Sequence, residues 1–269
     1  MAIATLNGVI SGFRPPVPIT KAAFTSTGAG HLHSSLYLAG MPGAAAAPSE
    51  GINGAAKTSL SGQISFPVAV GGQNVYLAGL EAASSNIGGL LLCDLLWQNS
   101  GLVVTTTGAQ AITFPGLPAR DLNGTTSGAG CLAALEVVTA TGNAAPVTNC
   151  TLSYTDSVGN TGNTASLASL PNANTAGWTG LFDLAAGDLG VQAIASITLG
   201  TSLVSGSISL KVIRPIAFLE MPTDNRTIMK DVVQLGMPRM YDNSVPYFLM
   251  LCAGASVGRL TGKVTYTQG

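Results

Sequence analysis

Cys150-Thr151-Leu152-Ser153-Tyr154-Thr155 opens the part of the chain, Val147 to Met221, whose reading decides the fold. Its apolar residues Cys150, Leu152 and Tyr154 alternate with hydroxyl residues, the period of two that a half-buried strand requires. Asp156-Ser157-Val158-Gly159-Asn160 then supplies turn chemistry. A second segment places Val191, Ala193, Ala195, Ile197 and Leu199 on one face. After a loop from Gly200 to Gly206, a third places Ile208, Leu210 and Val212 opposite Ser207, Ser209 and Lys211. The last two segments predict a hairpin with one dry face, and a sheet with one dry face needs a partner layer.

Working outward, strands are expected at Ile64–Val70, Asn74–Ala83 and Gly88–Trp97, with Gly71-Gly72 and Ser84-Ser85-Asn86 as turns. Leu90-Leu91-Leu92-Cys93 lacks polar alternation, which marks a strand covered on both faces at the centre of the body. Short strands at Leu102–Thr107 and Ala111–Phe114 precede a Gly/Thr/Ser loop over Asp121–Gly130 and a strand over Cys131–Ala140. One helix is expected over 223–235. Thr223 or Asp224 would cap it, Ile228, Met229, Val232 and Val233 would form its stripe, and Gly236 would end it. A hairpin over 246–267 closes the chain, with Leu260, Val264 and Tyr266 on one face.

Residues 1–53 read as an extended arm, because Arg14-Pro15-Pro16-Val17-Pro18 forces an extended path and Gly43 to Pro48 is an alanine-rich loop. Gly30–Gly40 fits a short strand or a short helix. Leu36, Tyr37, Leu38 and Met41 give this arm apolar groups with which to dock on the body or on a neighbouring subunit. The fold expected is therefore all-β: a two-sheet antiparallel sandwich of jelly-roll type over 54–269, with an N-terminal arm and one short helix.

Charged residues make up 9 % of the 269 positions, against about 25 % in an average protein, and the 34 glycines are about twice the usual share. The longest apolar run, Ile87 to Trp97, is interrupted by Asp94 and is too short for a spanning helix, so no membrane partner is expected. The opening Met1 to Asn7 has no basic region, which argues for a protein made in a cytoplasm. A net charge of −1 without basic runs argues against nucleic acid as a partner. Cys93, Cys131, Cys150 and Cys252 are widely spaced in apolar surroundings and read as buried free thiols.

Candidate chemistry is sparse. Gly254-Ala255-Ser256-Val257-Gly258 matches the nucleophile-elbow pattern, but a strand rather than a helix is expected after it, and both histidines lie far upstream. His31 and His33 would share a strand face without a third metal ligand nearby. Asp183 and Asp188 read as turn aspartates. Glycines 124, 128 and 130 lead into a strand, so they cradle no phosphate. No catalytic, cofactor-binding or metal-binding residue is assigned, and no enzyme is expected.

Six stretches taken in order resemble a family of tailed-bacteriophage virion structural proteins. They are Met41-Pro42-Gly43, Leu96 to Leu102, Leu117 to Gly124, Ala186 to Val191, Ile213-Arg214-Pro215-Ile216 and Pro238 to Asp242. The likeness covers residues 36–269. It implies a non-enzymatic virion component, a head decoration (cement) protein that meets the major capsid protein or another virion protein. By analogy with decoration proteins it also implies a homotrimer. A receptor- or glycan-binding fibre module is the alternative. Its sign would be an exposed aromatic platform, for which only Trp97 and Trp178 are available.

Overall fold

The computed structural model describes residues 3, 5–25, 28–254 and 256–269. The strands, in chain order, begin with β1 (Val17–Lys21), β2 (Phe24–Thr25), β3 (Leu32–Ser34), β4 (Gly40–Met41), β5 (Ala55–Ala56) and β6 (Val75–Ser84). They continue with β7 (Gly88–Gln98), β8 (Ala109–Ala111), β9 (Leu132–Thr139), β10 (Thr151–Asp156), β11 (Asn163–Ser166), β12 (Trp178–Leu181) and β13 (Val191–Thr198). The last are β14 (Ser207–Met221), β15 (Ile228–Lys230), β16 (Arg239–Met240), β17 (Pro246–Cys252), β18 (Ser256–Val257) and β19 (Leu260–Gln268). The helical pieces are α1 (Leu6–Ser11), α2 (Val232–Leu235) and a 3₁₀ turn over Ser35–Tyr37.

The protein is all-β and antiparallel, and its centre is curled into a barrel. Strand β14 pairs with both β7 and β9, and the pairings β9–β12, β12–β3, β3–β17 and β17–β7 complete a ring of six. The length of β14, 15 residues, lets it reach both neighbours. Bulges between Val212 and Ile213 and around Ile216 bend it. Pro215 is tolerated in this central strand because it adjoins the second bulge.

Two sheets flank the barrel. One has the order β15-β6-β19-β1-β4, with β16 also on β6. The other has the order β11-β10-β13-β8. Side-chain alternation along β7 connects all three layers. Leu90 and Leu92 join Leu77, Leu80, Val264 and Tyr266 under the first sheet. Leu96 and Trp97 join Leu152, Tyr154, Ile194 and Ile197 under the second. Cys93 and Leu95 meet Ile213, Tyr247 and Leu249 inside the barrel. The expected two-faced burial of Leu90 to Cys93 is thus the spine of the molecule, and the layering is a curled, barrel-like sheet with a further sheet on either side.

Several expectations need correction. Strands β13 and β14 do not form a hairpin: β13 pairs with β10 and β8, and β14 belongs to the barrel. The predicted dry face of β13 is broken by bulges beside Tyr154 and Asp156, which turn Ile194 inward and leave Ala195 exposed. Ser209 and Lys211 are fully buried, since closure of the barrel gives β14 two covered faces. The segment 246–267 is likewise not a hairpin, because β17 pairs within the barrel and β19 with β6 and β1.

The helix over 223–235 shrinks to α2. Ile228–Lys230 is a strand on β6, and Asp231, not Thr223 or Asp224, is the cap, in a capping box with Gln234. Gly236 ends α2 in the left-handed conformation as expected. Residues 64–70 and 102–107 form no named strand, and β8 ends where a strand over Ala111–Phe114 was expected to begin. The strands described within 1–53 are woven into the body instead of reaching away from it. Strand β1 lies between β19 and β4, and β3 is a barrel strand. Gly30–Gly40 resolves as a strand followed by a 3₁₀ turn.

Candidate functional site

The charge-poor sequence spends much of its charge indoors. Lys21, Asp94, Arg120, Asp121, Glu136, Asp156, Lys211 and Arg214 are all buried. Buried charges are costly unless paired and hydrogen-bonded, so where they sit is informative.

Asp94 stands on the outer face of β7, between the residues that serve one flanking sheet and those that serve the other. Its Oδ2 lies 3.2 Å from Arg120 Nε and 3.6 Å from Arg214 Nη2. It accepts hydrogen bonds from Ser244 Oγ and the Val245 amide. Arg120 also donates to the carbonyls of Lys57, Leu95 and Asn243. Arg214 donates to the Arg239 carbonyl, and the guanidinium groups of Arg214 and Arg239 lie 4.9 and 4.7 Å from the Tyr241 ring centroid. Burial raises the pKa of Asp94 against the pull of the two arginines, and burial lowers that of Arg120 against the pull of Asp94. The cluster forms an ionic seam between two apolar layers.

The loop after Arg120 packs on this seam. Asp121 accepts from the amides of Asn123, Thr125 and Ala129 and the hydroxyls of Thr125 and Ser127. Burial alone would raise its pKa, but these bonds outweigh it and hold the carboxyl below its usual range. Two glycines permit the approach. A Cβ on Gly124 would lie 2.7 Å from the Tyr241 ring, and one on Gly128 2.0 Å from the Val191 carbonyl oxygen; both have positive φ. The glycines at 124, 128 and 130 therefore serve close packing.

A second buried pair lies inside the barrel. Leu210 and Val212 on β14, and Leu135 and Val137 on β9, face the layer under β10 and β13. Alternation therefore turns Lys211 and Glu136 inward, where Lys211 Nζ touches Glu136 Oε2. Tyr37 Oη donates to the same oxygen at 2.9 Å. The Lys211 nitrogen is 5.8 and 5.3 Å from the ring centroids of Tyr37 and Tyr247. Burial lowers the pKa of Lys211 against the attraction of Glu136, and burial, then Glu136, raises that of Tyr37. A fourth buried cation, Lys21, donates to the carbonyls of Leu38, Pro42 and Gly43, and burial lowers its pKa to about 8.

No family model, curated protein or solved structure matches the chain.

Three of the motif stretches singled out in the sequence meet at the seam, through Arg120, Arg214, Arg239 and Tyr241. Gly190 of another pairs with Ala129, and Pro42 and Gly43 receive Lys21. Asn99 fastens β7 to β14, accepting from the Leu210 amide and the Ser209 hydroxyl.

The enzymatic candidates are dispersed. Ser256 lies in β18, a two-residue strand on β2, and the next element is β19; Ala255 of the same motif is outside the described residues. His31 packs edge-on to Trp178, and His33 is buried on β3. Asp188 accepts from Tyr154 Oη, while Asp183 sits in a backbone bridge to Ser166. Among the described residues, no group of three or more His, Cys, Asp or Glu side chains is placed to hold a metal. All four cysteines are buried thiols, as expected, and none is in a disulfide. No helix among the described residues is long and apolar enough to cross a membrane. Asp94, Glu136 and Lys211 went unrecognised in the sequence. Asp94 and Glu136 each left one signal, the single charge of its strand, whereas Lys211 shares β14 with two serines, Arg214 and Glu220.

Proposed function

We propose that this chain is a non-enzymatic virion structural protein, a decoration subunit that stabilises a bacteriophage head by binding the major capsid protein as a homotrimer. The observation that carries the reading is the withdrawal of charge into the interior, which leaves faces fit for protein contact. Interface cores are depleted in charged residues for the same desolvation reason. Across β11, β10, β13 and β8, the registers align Ser166, Thr151, Thr198 and Ala109 in one row and Thr164, Ser153, Ser196 and Ala111 in the next. The side chains in these rows are small and uncharged.

A second surface is apolar. Leu6, Ile10 and Phe13 are exposed where α1 and the following turn meet the end of β19, and Val68 is exposed beside the same strand end. Contacts outside the subunit's own body are assigned to this α1 end. The fibre-module alternative gains no support from the tryptophans, both of which are buried.

The test is to label purified particles with an antibody against this chain, and to add the protein back to particles that lack it. Ordered head labelling, restored particle stability and a trimer mass by light scattering are expected. A monomer that binds no particle would overturn the reading.

A further inference from the structure

We infer that Lys211 and Glu136 are the two halves of an intramolecular amide cross-link between β14 and β9, a self-modification site inside the closed barrel. Three observations carry it. The reacting groups touch in a fully dry place, since both residues are completely buried and Lys211 Nζ contacts Glu136 Oε2. The carboxylate is only half engaged: Glu136 Oε1 has no hydrogen-bond partner among the described residues, and Lys211 Nζ meets Oε2 outside ordinary hydrogen-bond geometry. A proton relay is in place, with Tyr37 Oη donating to the oxygen that must leave.

The environment favours the reactive form of the nitrogen. Burial disfavours the ammonium of Lys211, and in the reaction that nitrogen passes a proton to Glu136 Oε2. Only the neutral amine has the lone pair that attacks carbon. The Nζ–Cδ bond forms and the Cδ–Oε2 bond breaks. Oε2 departs as water with two protons that began on nitrogen, and the amide keeps the third. Tyr37 gives a proton to Oε2 and regains one from the nitrogen, ending unchanged. No oxidant, cofactor or second substrate is needed. The product removes both charges from the barrel and ties neighbouring strands covalently. Because Ser209 pairs with Glu136 and Lys211 with Ala134, the linked side chains are diagonal neighbours across one ladder.

The experiment is the intact mass of the full-length protein, unfolded in denaturant after folding and storage. The expected value is one water below the mass of the sequence. Trypsin should fail to cut after Lys211, and the peptide that holds both residues should carry the deficit. Lys211→Met should run at its own full mass, and Tyr37→Phe, which keeps both reacting groups, should form the link about a hundredfold more slowly. A wild-type protein that keeps its full mass after prolonged storage would overturn the inference. So would a water deficit that persists in Lys211→Met, or normal tryptic cleavage at Lys211.

Discussion

One residue separates two different interiors along β14. Leu210 and Val212 point into an apolar layer shared with Leu152, Tyr154, Ile194 and Ile197, while Lys211 points into a barrel that holds a carboxylate and two tyrosines. Arg214, farther along the outer face, enters the seam with Asp94. The apolar layer is held by area and shape, which tolerate exchange of one hydrophobe for another of similar volume. The ionic regions are held by specific partners at specific positions, so losing one partner leaves another stranded in a dry place.

That contrast orders the mutational expectations. Asp94→Leu strands Arg120 and Arg214 together and should cost about 3–5 kcal/mol, enough to unfold a marginal domain. Denaturant titration is the check, and a loss under about 1 kcal/mol would erase the distinction between the two interiors. Leu152→Ala, in the apolar layer, should cost about 2–4 kcal/mol, and Leu152→Met should recover most of it. Failure of methionine to rescue would show that this layer is as position-specific as the seam.

A pH titration probes the barrel wall. Burial, and then the charge of His31, lowers the pKa of His33 to about 4 from 6.5. The unfolded chain therefore takes up a proton as pH falls through 6.5, and the folded protein does not until about 4. Stability should be full above 6.5 and decline across that window by at most about 3 kcal/mol. His33→Gln should flatten the slope, and a wild-type curve already flat from 6.5 to 4 would contradict the assignment.

The smallest effect is expected outside both interiors. Thr164→Asp, on the exposed edge of the uncharged face, should change stability by less than about 0.5 kcal/mol and, on the proposed decoration role, weaken attachment to particles. Undiminished attachment would count against this face as the docking surface in that proposal.

Periodicity exposed the local elements well and their partners poorly. Leu152 and Tyr154 alternate as a one-sided strand should, and Leu90 to Cys93 announce a doubly covered one. Adjacency in the sequence misled at β13–β14 and at β17–β19, where the chain leaves one layer for another instead of turning back beside itself. Ile228 to Val233 fitted a helical stripe because a short strand and a short capped helix abut there, and the Asp231-Gln234 spacing was the overlooked signal. Lys211 was read as solvent-facing because nothing in a strand's own residues says that its sheet will close. The ionic seam was hidden for a related reason: Asp94, Arg120 and Arg214 come from three distant segments, and only the barrel brings them within reach.

The place of β1 between β19 and β4 bears on how the protein is made. Val17 pairs with Val264, so β1 emerges from the ribosome about 250 residues ahead of its partner, some tens of seconds at ~5–20 residues per second. During that interval Ile19 and Lys21 have no sheet to enter along that edge. The layer they belong to closes only after synthesis has reached β19, and the growing chain stays unfinished on that side until then. Folding of a chain built this way is timed by translation: the sheet edge beside α1 is not completed before β19 has been made.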